Sequence, residues 1–340
     1  MKRLTRRFST TSRYRALLAS ATILCLATSA VAVGIRMARA DSPIIVGLVT
    51  KTEVNPYFVK LRQAAAAEAK LRGVRLIARA GKFDGDNEGQ VAAIESLISA
   101  GARGILVTPN NSSGVLNVVK EARAKGIIVI ALDTATDPAD AVDATFATDN
   151  FQAGVQQGEY AKAALAGKAP KLAMLDGTPG GTVDTFRHNG FLKGIGLAEG
   201  DPAILGKVIT NGQQDKGQTG MENLLSAHPD INVVYTINEP AAEGAFAAIR
   251  SAGKTKGIVL TSIDGGCLGV KYVKAGKIWA TVMQFPKKMA AEGVDAVVDY
   301  AKTGKKPTGF VNTGSDVITG QPMPGVPSQD LTFGVKNCWG

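Results

Sequence analysis

From residue 43 onward, short β-branched runs that are almost wholly apolar alternate with longer stretches of helical periodicity. A strand with no polar face belongs inside a parallel sheet covered by helices on both sides. Ile44 to Val49 is such a run. Asn55 and Pro56 then supply a cap and a first-turn proline, Phe58, Leu61, Ala65 and Ala69 recur on one helical face, and Gly73 ends the helix. A second unit runs Val74 to Ala78, with a helix from about Asp86 to Gly101. The third begins with Gly104 to Val107, continues as a helix to Lys125, and hands over to the strand Ile127 to Leu132. Right-handed crossovers of this kind build one parallel sheet. The pattern restarts after Asn150, with a helix from Gln152 and strands at Lys171–Leu175, Ala203–Val208, Val233–Thr236, Ile258–Ile263 and Ile278–Met283. The expected fold class is α/β, with two Rossmann-like lobes built on parallel sheets.

In such folds functional side chains gather at the carboxyl ends of the strands. Those positions read Thr50 to Asn55, Asp133-Thr134, Asp176-Gly177-Thr178, Asn238-Glu239, Asp264-Gly265-Gly266 and Gln284. They are rich in short hydrogen-bonding groups and contain no histidine. The chain has two histidines in all, His188 and His228, and neither has metal-ligand spacing, so a zinc site or a histidine triad is not expected. His188 follows Arg187 in a helix and can face either way. Gly253-Lys254-Thr255 lacks the upstream glycine of a phosphate loop, and Gly194 to Gly200 follows a helix instead of a strand, so nucleotide chemistry is not expected either. No cofactor and no enzymatic activity are implied.

A sugar site fits the strand ends better. Carboxylates accept from paired hydroxyls, arginine donates in a fixed fork, amides do both, and aromatic rings cover the apolar face of a sugar ring. Asp133 and Asp264 are the candidate acceptors, Arg187 the donor, Asn55, Asn238 and Gln284 the amides, and Tyr57 and Phe58 the rings. Phe58 also opens the apolar helix face and so has a structural role.

The formal charge of +10 comes mainly from the N-terminus, where eight of the 39 Lys and Arg lie within residues 1–40 without an acid. Without them the balance is 31 basic against 29 acidic residues, so capture of nucleic acid is not supported. A basic segment, the apolar run Ala16 to Ile35, and Ala38-Arg39-Ala40 before Asp41 have the order of a secretory signal cleaved after Ala40. An earlier cut near Ala30-Val31-Ala32 and retention as an anchor are the alternatives. Export places the chain in an oxidising compartment, where Cys267 and Cys338 form a disulfide or remain two unrelated thiols.

Asn55-Pro56-Tyr57-Phe58, the strand ending Leu132-Asp133, Arg187-His188-Asn189-Gly190-Phe191, Asn223 to Asp230, Asn238, Asp264 and Gln284 together resemble the ribose-binding branch of type I periplasmic binding proteins across 43–320. The tail Lys336-Asn337-Cys338-Trp339-Gly340, the cysteine after Asp264-Gly265-Gly266, and Lys51 to Phe58 resemble more narrowly the fructose-binding receptors of rhizobial-type importers. The resemblance implies sugar contacts at Asn55, Asp133, Arg187, Asn238, Asp264 and Gln284. Thr134 stands where ribose binders carry arginine and Gly212 where they carry an aromatic, which implies a wider pocket suited to a hexose, with Lys51 and Glu53 replacing lost polar contacts. It further implies a three-segment hinge, with residues 41–147 and 285–313 in one lobe and 148–284 and 314–340 in the other. The implied function is a monomeric periplasmic receptor for a monosaccharide, fructose first and mannose or ribose next, serving the membrane subunits of an ABC importer. A sugar sensor feeding a chemoreceptor, or a regulator of the same fold, is the alternative.

Overall fold

The computed structural model describes residues 43–340, so the expected leader and its cleavage site lie outside the described residues. The first strands are β1 (Ile45–Thr50), β2 (Arg75–Ala80), β3 (Gly104–Val107), β4 (Ile128–Leu132) and β5 (Ala144–Ala147). With β11 (Gly309–Asn312) they form a parallel sheet in the order β11-β5-β4-β3-β1-β2. The second sheet holds β6 (Leu172–Asp176), β7 (Ile204–Ile209), β8 (Val233–Thr236), β9 (Val259–Asp264), β10 (Ala280–Met283) and β12 (Asp316–Thr319). Its order is β12-β10-β9-β8-β6-β7, and only β12 runs antiparallel to its neighbour.

Helices cover both faces of each sheet, as the uniformly apolar strands require. Helix α1 (Pro56–Arg72) begins where the Asn55 side chain accepts from Tyr57 N and ends at Gly73, whose φ of 67° needs no Cβ. It packs with α9 (Pro286–Thr303) through Leu61, Ala65, Met289, Val294 and Val297 against one face of the first sheet. Helices α2 (Asn87–Ser99) and α3 (Leu116–Ala124) cover the other face through Ile94, Leu97, Val119 and Ala122. On the second sheet, α6 (Gln214–Ala227), α7 (Glu239–Ser251) and α8 (Cys267–Lys274) cover one side. Helices α4 (Asn150–Ala164) and α5 (Thr182–Ile195) cover the other. A last short helix, α10 (Leu331–Asn337), carries the C-terminal tail.

The chain therefore passes between the sheets three times: after β5, between β10 and α9, and between β11 and β12. The expected strands appear within two residues of their expected ends. The strands β5, β11 and β12 were not among them, because their sequences, ATFA, GFVN and DVIT, mix small and polar residues with the apolar ones and lack the continuous apolar run by which the others were found. Among the described residues no helix is long and apolar enough to cross a membrane.

Candidate binding cleft

The two sheets direct their strand carboxyl ends at one another, and a cleft lies between them with about 480 Å³ of free space, its mouth included. Lys51, Asn55, Tyr57, Phe58, Asp133, Arg187, Asn238, Asp264 and Gln284 all line it. Each comes from a loop after a strand or from the first turns of the helix that follows, which is where parallel sheets leave free backbone and polar side chains.

Two aspartates face the cleft on strained backbone. Asp133 has φ 63° and Asp264 has φ 152°, conformations that non-glycine residues adopt only where the surroundings hold them. Thr134 Oγ1 donates to Asp133 Oδ2 at 3.0 Å, and Asn150 Nδ2 donates to the Asp133 carbonyl at 3.2 Å. Asp264 accepts from Gln284 Nε2 at 3.1 Å and from the Glu239 amide at 3.3 Å. Gln284 Oε1 is buried and has no partner among the described residues, so the amide is oriented by Asp264 with its acceptor left over for the cleft. Arg187 is 3 % exposed; its Nε donates to Asn150 Oδ1 and one Nη to the Ile237 carbonyl, both at 2.8 Å. No carboxylate among the described residues lies within ion-pair distance of it. Burial, opposed in part by the Arg187 charge, raises the Asp264 carboxyl well above the usual range. Glu239, behind it, is raised by burial and by Asp264. Burial chiefly, and then the Asp133 charge, also raises the Tyr57 phenol.

Glu53 and Thr134 do not reach the cleft. Glu53 points to solvent and pairs with Arg62 at 2.9 Å, because the Thr52 hydroxyl caps the Asn55 amide and turns the next residue outward. Thr134 is fully buried and acts on the site only by orienting Asp133. Gly212 does line the cleft, but the space beside it is occupied: a Cβ there would lie 2.5 Å from Asn238 Nδ2, which donates to the Gly212 carbonyl. A side chain at Gly212 would thus have to displace the Asn238 amide, and Thr134 lies behind Asp133 without opening onto the cleft. Asn238 also accepts from Ala241 N as the cap of α7, so its amide is fixed in place with one Nδ2 hydrogen left over for the cleft.

Several lining residues were not among the candidates: Asp84, Thr178, Val183, Asp184, Asn211 and Ile237. Asp84 and Asn211 follow β2 and β7, so the strand-end rule locates them once it is applied to the edge strands as well. Asp84 accepts from Thr178 Oγ1 across the cleft at 2.6 Å. Ser112 N donates to the Gly180 carbonyl at 2.9 Å and Thr182 Oγ1 to the Ala135 carbonyl at 3.0 Å, so the two lobes meet along one rim. Asp184 is pushed up to about 6, first by burial and then by Asp176. His188 stands outside the cleft between Asp176 and Glu199, 2.8 Å from each. Cys267 and Cys338 are joined, their Cα atoms 4.9 Å apart. Among the described residues no group of His, Cys, Asp and Glu is arranged to hold a metal ion.

Two lobes on a three-stranded connection, with buried polar groups converging between them, define a hinged solute-binding protein. The chain belongs to the periplasmic binding protein family, whose domain model matches residues 46–306. It is 34% identical over 266 residues to the ribose import binding protein of Bacillus subtilis, covering 76% of this chain and 83% of that one. It is 30% identical over 317 residues to the galactofuranose-binding protein of Escherichia coli, covering 90% of this chain and 96% of that one. A periplasmic solute binding protein of an ABC transporter from Actinobacillus succinogenes, solved with D-allose, superposes with a TM-score of 0.73 at 28% identity, over 81% of this chain and 97% of that one. The chain is accordingly a binding protein and not an enzyme.

Proposed function

We propose that this protein is the receptor of an ABC importer and that it takes a monosaccharide into the interlobe cleft, with fructose first and mannose or ribose next. The observation that carries this reading is the convergence of buried Arg187, Asp133, Asp264 and Gln284 with the Tyr57 and Phe58 rings on one cleft. Their chemistry matches a ring of neighbouring hydroxyls with an apolar face. The ligands named for its relatives, ribose, galactofuranose and allose, are of that class. Fructose rests on the narrower likeness of the tail and of Lys51 to Phe58. The moving bodies are taken as residues 41–147 with 285–313 and 148–284 with 314–340. Sugar bridges them and shifts the population to the closed form, which the membrane subunits recognise.

Residues 1–40 are proposed as a leader removed in the periplasm. Intact mass of the exported protein reads this, with a chain beginning at Asp41 expected and one retaining Met1 contrary. Calorimetric titration of the mature protein with fructose, mannose, ribose, allose and galactose tests the ligand class. Saturable binding of at least one is expected, and no binding of any monosaccharide sinks the reading. Tightest binding of a sugar other than fructose removes the finer assignment alone.

A further inference from the structure

The C-terminal tail packs against the cleft. Trp339 within it is 3 % exposed. Here Cys338 is bonded to Cys267, the Trp339 carbonyl accepts from Cys267 N at 2.8 Å, and Trp339 bridges Gly266 in parallel register. The indole Nε1 donates to the Asp264 carbonyl at 3.2 Å and to the Gln284 carbonyl at 3.0 Å. Both acceptors belong to cleft residues, and Asp264 is the one whose backbone, at φ 152°, needs holding. The other side of the ring meets Tyr57 edge-on, with centroids 5.4 Å apart and planes at 77°. Tyr57 opens α1 on the first sheet, whereas Trp339 is fastened to the ends of β9 and β10 in the second. The aromatic pair therefore spans the two lobes.

We propose that Trp339 is a positioning residue of the cleft, delivered by the disulfide-held tail. Its N–H ties together the two loops that present Asp264 and Gln284, and its ring is the surface on which Tyr57 docks when the lobes close. The inference rests on the sugar-receptor reading. Opening about the hinge parts Tyr57 from Trp339, so the pair stabilises only the closed form and raises sugar affinity without touching sugar. An edge-on aromatic pair supports roughly a 2- to 10-fold effect on such an equilibrium.

The chain has two tryptophans, Trp279 and Trp339, so Trp279→Phe leaves Trp339 as the only tryptophan. Trp279 lies outside the cleft lining, and this variant is expected to bind like wild type. Its tryptophan emission is expected to change on titration with the best sugar found by calorimetry, saturating at the calorimetric Kd. Trp339→Ala is expected to weaken that sugar about 2- to 10-fold or more. Trp339→Phe is expected to recover the ring's share, and the paired Cys267→Ser and Cys338→Ser variant to bind more weakly than wild type. An unchanged emission during sugar binding overturns the inference, as does wild-type affinity in Trp339→Ala. Should Trp339→Ala not fold, the emission of Trp279→Phe decides alone. A wild type that binds no monosaccharide overturns the sugar reading itself and this inference with it.

Discussion

At the scale of single residues, the cleft is made of groups that are costly to bury and are held there by neighbours. Arg187 has lost nearly all its water and donates only two hydrogen bonds, both to neutral oxygens. Asp264→Ala removes an acceptor for sugar and leaves that cation facing the ligand with less compensation. A loss of about 2–4 kcal/mol in binding is expected, roughly 30- to 1000-fold in Kd, read by calorimetry. The melting temperature of the empty protein is expected to move far less, because the same change relieves the repulsion that, after burial, raises Glu239. Undiminished sugar affinity in this variant contradicts the role given to Asp264. Strand-end position was enough to locate both aspartates, Asn238 and Gln284. It misplaced Glu53 and Thr134, since which way a loop residue turns depends on hydrogen bonds such as that from Asn55 N to Thr52 Oγ1, which no spacing reveals.

Between elements, the contact of α4 with α5 decides where Arg187 stands. Gly154 and Gly158 on one helix meet Gly190 and Gly194 on the other, and a Cβ at Gly154 would overlap the Arg187 carbonyl. The backbones are thus in direct contact, and Asn150 on α4 reaches Arg187 on α5. Gly154→Ala is expected to destabilise by about 1–3 kcal/mol through overpacking and to weaken sugar binding by displacing Arg187. Denaturant melts and calorimetry on one sample separate the two effects. Retention of full affinity would argue against Arg187 as a contact. His188 joins the start of this layer to β6 and is raised to about 9, first by its hydrogen bond to Asp176 and also by Glu199. A histidine whose folded pKa lies above its unfolded 6.5 gives stability that is complete below 6.5 and lost as pH rises through about 9. His188→Gln is expected to cost about 2–3 kcal/mol near neutral pH, less the share that solvent screens at half-exposed Glu199. The gap to wild type closes by pH 10 in melting curves. A gap that stays constant across that range rules out the ionic contribution.

For the whole molecule, closure and the disulfide act on different equilibria. The bond between Cys267 and Cys338 closes a sequence separation of 71 residues, worth about 4 kcal/mol in the chain-entropy account. No titratable thiol is expected in the unreduced, denatured mature protein, and two free thiols would remove the bridge. In the proposed function sugar acts on the hinge instead. The rim bonds from Thr178 to Asp84 and from Ser112 to Gly180 can form only when the lobes meet. Small-angle scattering of the mature protein is therefore expected to show a smaller radius of gyration with saturating sugar than without. An unchanged radius during calorimetrically verified binding would dispense with closure as the mechanism.

The alternation of apolar strands and amphipathic helices determined the fold class by itself, because it depends on burial along one stretch of chain at a time. It likewise located most of the cleft, since polar residues after buried strands have nowhere to go but the sheet's edge. What needed the tertiary structure was everything set by distant segments meeting. That includes the outward turn of Glu53, the filling of the space at Gly212 by Asn238, and the ion triad of His188. It includes above all the return of Trp339 to Asp264, 75 residues earlier. Periodicity carries no information on such contacts, which arise only when two sheets, three crossings and one disulfide bring distant segments together.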